Sequence, residues 1–140
     1  MPAVQSTFLP DHVLSAVLTL AERELRSKDS SKTRLAFRSH DFQLQEIFNQ
    51  LRQSGKYSLL EPFVFSDSGP EPYSPALNES VSRLQLSGLI GRENPDYEVV
   101  FLRPAADRFF EEVLGSEFDG DQRQQLAEIA SRFLERANIV

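Results

Sequence analysis

The 140-residue chain has no cysteine and no tryptophan, one methionine and two histidines. Without cysteine there are no disulfides, no thiolate zinc sites and no thiol catalysis. No apolar run approaches the roughly 18–20 residues that span a bilayer. The opening Met1-Pro2-Ala3-Val4-Gln5 lacks a charged n-region followed by an apolar h-region, so export is not expected and the reading is a cytoplasmic protein of a bacterium or phage. The sequence contains no His-x-x-x-His, no Glu-x-x-His and no acidic calcium loop. Its histidines, His12 and His40, stand alone near helix starts, and Glu111-Glu112 diverge on a helix, unlike a paired acid and base. Gly88-x-x-Gly91 is too short and too late in its helix to cradle phosphate. The expectation is a protein without enzymatic activity, cofactor or metal.

What is present is an ordinary globular composition, 40% apolar and 26% charged, with a net charge of −6. The length fits one domain able to bury a core without staples. Charge is unevenly spread. Residues 1–60 hold 8 basic and 6 acidic residues, and residues 61–140 hold 7 and 15. Arg23, Arg26, Lys28, Lys32, Arg34 and Arg38 form the main basic stretch. Such a layout suits steering of a nucleic acid to one end or head-to-tail pairing, although a solvated loop and an acidic helical surface explain it as well.

Residues 1–9 read as a loose arm. Pro10-Asp11 starts a helix over about 11–27, with Leu14, Val17, Leu18, Ala21 and Leu25 on one face. A short strand follows within 33–38. Ser39 then caps a helix over about 40–54, with Leu44, Ile47, Phe48 and Leu51 inside and Gly55 at its stop. Residues 60–73 read as an ordered loop that buries Phe63 and Phe65. Ser74-Pro75 starts a helix over about 75–87, with Leu77, Val81 and Leu84 inside and Gly88 at its end. Two apolar runs around Asn94-Pro95-Asp96 make a β-hairpin. A helix from Pro104 to Gly115 and another capped by Asp119 or Asp121 complete the chain.

This order predicts a mainly α fold with a small β-hairpin: a winged helix-turn-helix core over 10–103 with added C-terminal helices over 104–140. The pattern Pro72-Tyr73-Ser74-Pro75-Ala76-Leu77, then Val81, Leu84, Gly88-Leu89-Ile90 and Pro95-Asp96-Tyr97, resembles the winged-helix part of Panacea-type antitoxin domains. The resemblance covers residues 62–103 and does not extend to the first helices. It implies the fold and carries no functional residue onto this chain.

Two ligand classes are compatible with such a core. Duplex DNA would meet Asn78, Ser82, Arg83 and Gln85 on the 75–87 helix and Arg92 on the wing, with Arg34 and Arg38 on phosphates. A protein partner would meet the acidic and aromatic surface, with Tyr73 and Glu79 foremost. Because the reading helix and wing lie in the −8 half of the chain, the expected role is a protein-binding module, with a dimeric DNA-binding regulator as the alternative. Leu126, Ile129 and Phe133, a stripe on the last helix, are the expected interface of a homodimer, although the same stripe also suits the monomer's own core.

Overall fold

Pro10 has a fixed φ and no N–H to leave unpaired, and it occupies the first turn of helix α1 (Pro10–Lys28). The computed structural model describes residues 9–38, 43–66, 69–93 and 99–140. After α1 come strand β1 (Ala36–Arg38), helix α2 (Gln43–Gln53), helix α3 (Pro75–Leu86), strands β2 (Ile90–Arg92) and β3 (Val99–Leu102), helix α4 (Pro104–Glu112), helix α5 (Gly120–Arg136) and strand β4 (Asn138–Ile139). The molecule is mainly helical, with one small antiparallel sheet ordered β2-β3-β1-β4. The hairpin β2–β3 pairs Ile90 with Leu102 and Arg92 with Val100, and β1 lies on the other side of β3. The expected turn at Asn94-Pro95-Asp96, the Ser39 cap and His40 lie outside the described residues.

α3 is bounded as its residues dictate. The Ser74 hydroxyl accepts the Leu77 N–H at 3.2 Å, and Pro75 fills the first helical position. At the other end Gly88 adopts φ +80°. Its N–H donates to the Gln85 carbonyl and the Leu89 N–H donates to that of Leu84, the paired bonds of a Schellman stop. Leu77 and Leu84 are buried and Val81 is half-buried. α5 begins with a reciprocal capping box between Asp119 and Gln122.

One continuous apolar core joins all the helices to the inner face of the sheet. Phe48 and Phe63 meet edge to face at 5.7 Å, which fixes the loop after α2 against the core. Phe133 of α5 meets Phe37 of β1 at 5.1 Å in the same geometry. Leu126, Ile129 and Phe133 are fully buried within the single chain. They therefore close its own core, chiefly against α1, and cannot form the dimer face expected of them. A stripe of this kind reads the same in sequence whether its cover comes from the same chain or another.

One further expectation is corrected. The helix from Pro104 stops at Glu112, and Leu114–Ser116 form a separate 3₁₀ turn. Val113 at the break has φ −125° and ψ −62°, outside helical geometry, and is 40% exposed. β4 had no counterpart in the sequence reading. It pairs Phe37 with Ile139 and Arg38 with Asn138.

Candidate functional site

The outward side of α3 is the surface on which both ligand readings converge. Asn78, Glu79, Ser82, Arg83, Gln85 and Ser87 are all exposed, as their helical positions require. Asn78, Ser82 and Gln85 stand at i, i+4 and i+7 and make one polar stripe. Glu79, Arg83 and Leu86 make a second at the same spacing. Leu86 is 87% exposed, the most exposed large apolar side chain among the described residues. Tyr73, just before the helix, is 36% exposed, and its backbone bonds in both directions to Ser66.

The position of α3 is set from beneath. Gln45 of α2 is buried and clamps the residue that starts the helix. Its side-chain amide donates to the Ser74 carbonyl at 3.2 Å, and its carbonyl accepts the Ser74 N–H at 2.7 Å. At the far side, Asp11 in the first turn of α1 accepts from Ser80 at 2.7 Å.

Asp11 also takes both prongs of Arg83, with Nε–Oδ2 at 2.7 Å and Nη2–Oδ1 at 2.9 Å. Arg83 is thus held flat against α1 by a bidentate pair, and Glu79 lies 4.0 Å from its remaining nitrogen. The hydrogen bonds from Arg83 hold the Asp11 carboxyl below its ordinary range, against the opposing effect of its burial, with Ser80 adding to the lowering. The arginine that duplex DNA was expected to meet on α3 is already bonded within its own chain.

The other candidates disperse. Arg92 donates to Gln85 at 3.2 Å and ties the β2–β3 hairpin to α3. Arg34 is ion-paired to Glu93 and lies on the outer face of the sheet, near Phe101. Arg38 is an exposed residue at the end of β1. The predicted contact set is therefore only partly brought together: Asn78, Ser82, Gln85 and Arg92 share one region, whereas Arg34 belongs to a different one with Arg26, Arg103 and Arg108. The basic stretch 23–38 carried the signal for that second group, but not its partners from the acidic half.

Among the described residues, no three His, Asp or Glu side chains are grouped to hold a metal, and no helix is long and apolar enough to cross a membrane. Comparison with family models, with curated proteins and with solved structures gives no match.

Proposed function

We propose that the protein is a non-catalytic winged-helix module that binds another protein through the exposed side of α3. The order helix, strand, helix, helix, hairpin, with β1 laid antiparallel beside β3, supports the winged-helix reading. The observation that carries the ligand choice is the commitment of Arg83 to Asp11. Duplex affinity depends on neutralising phosphates, and the only cation on α3 is already neutralised by a carboxylate of the same chain. What remains outward is an acidic residue, amides, hydroxyls and the exposed Leu86, a mixture suited to a protein surface. The partner envisaged is a protein of a bacterial or phage complex.

A second reading, a DNA-binding regulator, has one observation in its favour: Asn78, Ser82 and Gln85 form an outward stripe of groups able to bond base edges. The discriminating experiment is a salt-dependent titration of the full chain against random and own-promoter duplexes, run beside photocrosslinking in the host cell from position 86. We expect no duplex binding of consequence even at low salt, and discrete protein adducts that disappear in the Glu79→Lys variant. A sub-micromolar, sequence-selective duplex affinity at physiological salt, abolished by Arg83→Ala, would overturn the protein reading in favour of the regulator.

A further inference from the structure

Side chains alternate across a strand, so Val100 and Leu102 enter the core while Phe101 between them faces outward. The Arg34 guanidinium carbon lies 4.2 Å from the Phe101 ring centre and that of Arg103 lies 5.1 Å away. Gly91, opposite Phe101 in the β2–β3 register, leaves room for this arrangement. A Cβ there would stand 2.6 Å from the ring and 2.9 Å from Arg103. Phe101, Arg34 and Arg103 form one wall of a cleft of about 650 Å³. Arg26 at the end of α1 and Arg108 of α4 line it from the other side.

The cleft's charge is the reverse of the molecule's. Four arginines line it against two carboxylates, Glu22 and Asp107, in a chain of net charge −6. Both carboxylates already have partners. Glu22 accepts the Leu35 N–H at 2.9 Å, and Asp107 accepts from Arg23 at 3.0 Å. Arg34 has Glu93, and Arg26 has only the buried Glu22 at 3.9 Å. For Arg103 and Arg108, no carboxylate lies within ion-pair distance among the described residues. Clustered cations repel one another, and an anion placed among them relieves that repulsion.

We infer that this cleft binds a phosphate-bearing ligand of nucleotide size. Its phosphate sits on Arg103 and Arg108, and its base lies on the surface made by Phe101 and the neighbouring guanidinium groups. Guanidinium forks match phosphate oxygens two at a time, and a phosphate carries more charge and more acceptors than one carboxylate side chain. Planar aromatic and guanidinium surfaces are what unpaired bases stack on. The volume lies in the ordinary range for small-ligand sites. No residue of α3 lines the cleft, so the inference stands apart from the reading of that helix. Free nucleotide and nucleic-acid strand share this chemistry, and the test separates them.

The test is calorimetric titration of the full chain with AMP, with adenosine, and with a short single-stranded oligothymidylate. We expect AMP to bind, adenosine not to, and the paired Arg103→Ala, Arg108→Ala change to weaken AMP by about tenfold or more. Thermal melts followed by circular dichroism check that this variant is folded. A gain-of-affinity variant avoids that question altogether: Glu93→Gln removes the carboxylate that competes for Arg34, and AMP should then bind several-fold tighter. Oligothymidylate binding far more tightly than AMP, with the same response to the variants, would identify the source as a strand. Absence of binding by both phosphate probes at low millimolar concentration, or affinities indifferent to all the substitutions, would overturn the inference.

Discussion

Asp11 holds two side chains of α3 with one carboxylate, and this makes it sensitive to pH. Its carboxyl is lowered from the ordinary value of 3.8 by the Arg83 hydrogen bonds foremost. A carboxyl that is a stronger acid in the folded state stabilises the fold fully above its ordinary value and progressively less as pH falls through the lower folded one. Arg83 is half exposed, so solvent screens the pair and reduces what it contributes. Asp11→Asn should lower the urea midpoint at neutral pH, and the gap between the two proteins should close as pH falls below the ordinary Asp11 value of 3.8, as read by urea midpoints across pH. A gap that persists undiminished to strong acid would mean that the pair is energetically silent. Composition suggested none of this. Asp11 read as a helix-start residue and Arg83 as an outward cation, and both descriptions hold. Their meeting depends on α1 crossing α3, which residues 72 positions apart do not announce.

At the scale of elements, α3 was the most legible because its signals are local. Ser74-Pro75 and Gly88 act within a few residues of themselves, and the helix runs between them. β4 was illegible for the opposite reason. Two residues carry no alternation, and Asn138–Ile139 form a strand only because β1 presents an unpaired edge beside them. The break after Glu112 was missed because Val113 and Leu114 continue the apolar spacing, while the 3₁₀ turn that follows serves to bury Leu114 and Phe118. The Gln45 clamp also lay beyond sequence reasoning. On the periodicity of α2 it is merely a glutamine beside the apolar stripe, yet its carbonyl takes the N–H of the buried Ser74, and its amide adds a second donor to the Ser74 carbonyl, which also accepts from Asn78. Gln45→Leu fits the volume and strands the Ser74 N–H, so it should destabilise by about 1–3 kcal/mol in chemical denaturation. A neutral effect would show that Ser74 finds other partners.

At the scale of the whole molecule, the C-terminal helices bury their apolar faces in the same core as the rest of the chain. The sequence predicts one domain, with a winged-helix part over 10–103 and added helices over 104–140, and one apolar core runs through both parts. Charge follows the same course: Arg23 of the basic half pairs with Asp107 and Glu111 of the acidic half, so the unevenness along the chain is partly cancelled in space. A fragment ending after Arg103 would lose six large buried side chains, Phe110, Leu114, Phe118, Leu126, Ile129 and Phe133. At about 2 kcal/mol each that is about 12 kcal/mol of burial, comparable with the roughly 5–15 kcal/mol that holds a whole domain. The fragment would also expose the inward faces of α1 and β1, where Val13, Val17 and Phe37 are now covered. It should therefore show no cooperative thermal transition by far-UV circular dichroism, while the full chain melts in a single step. Leu126→Asp in the full chain should likewise unfold the protein, where an interface residue would only have separated two folded copies. A fragment that melts cooperatively, or a folded monomeric Leu126→Asp variant, would show instead that residues 10–103 fold without the C-terminal helices.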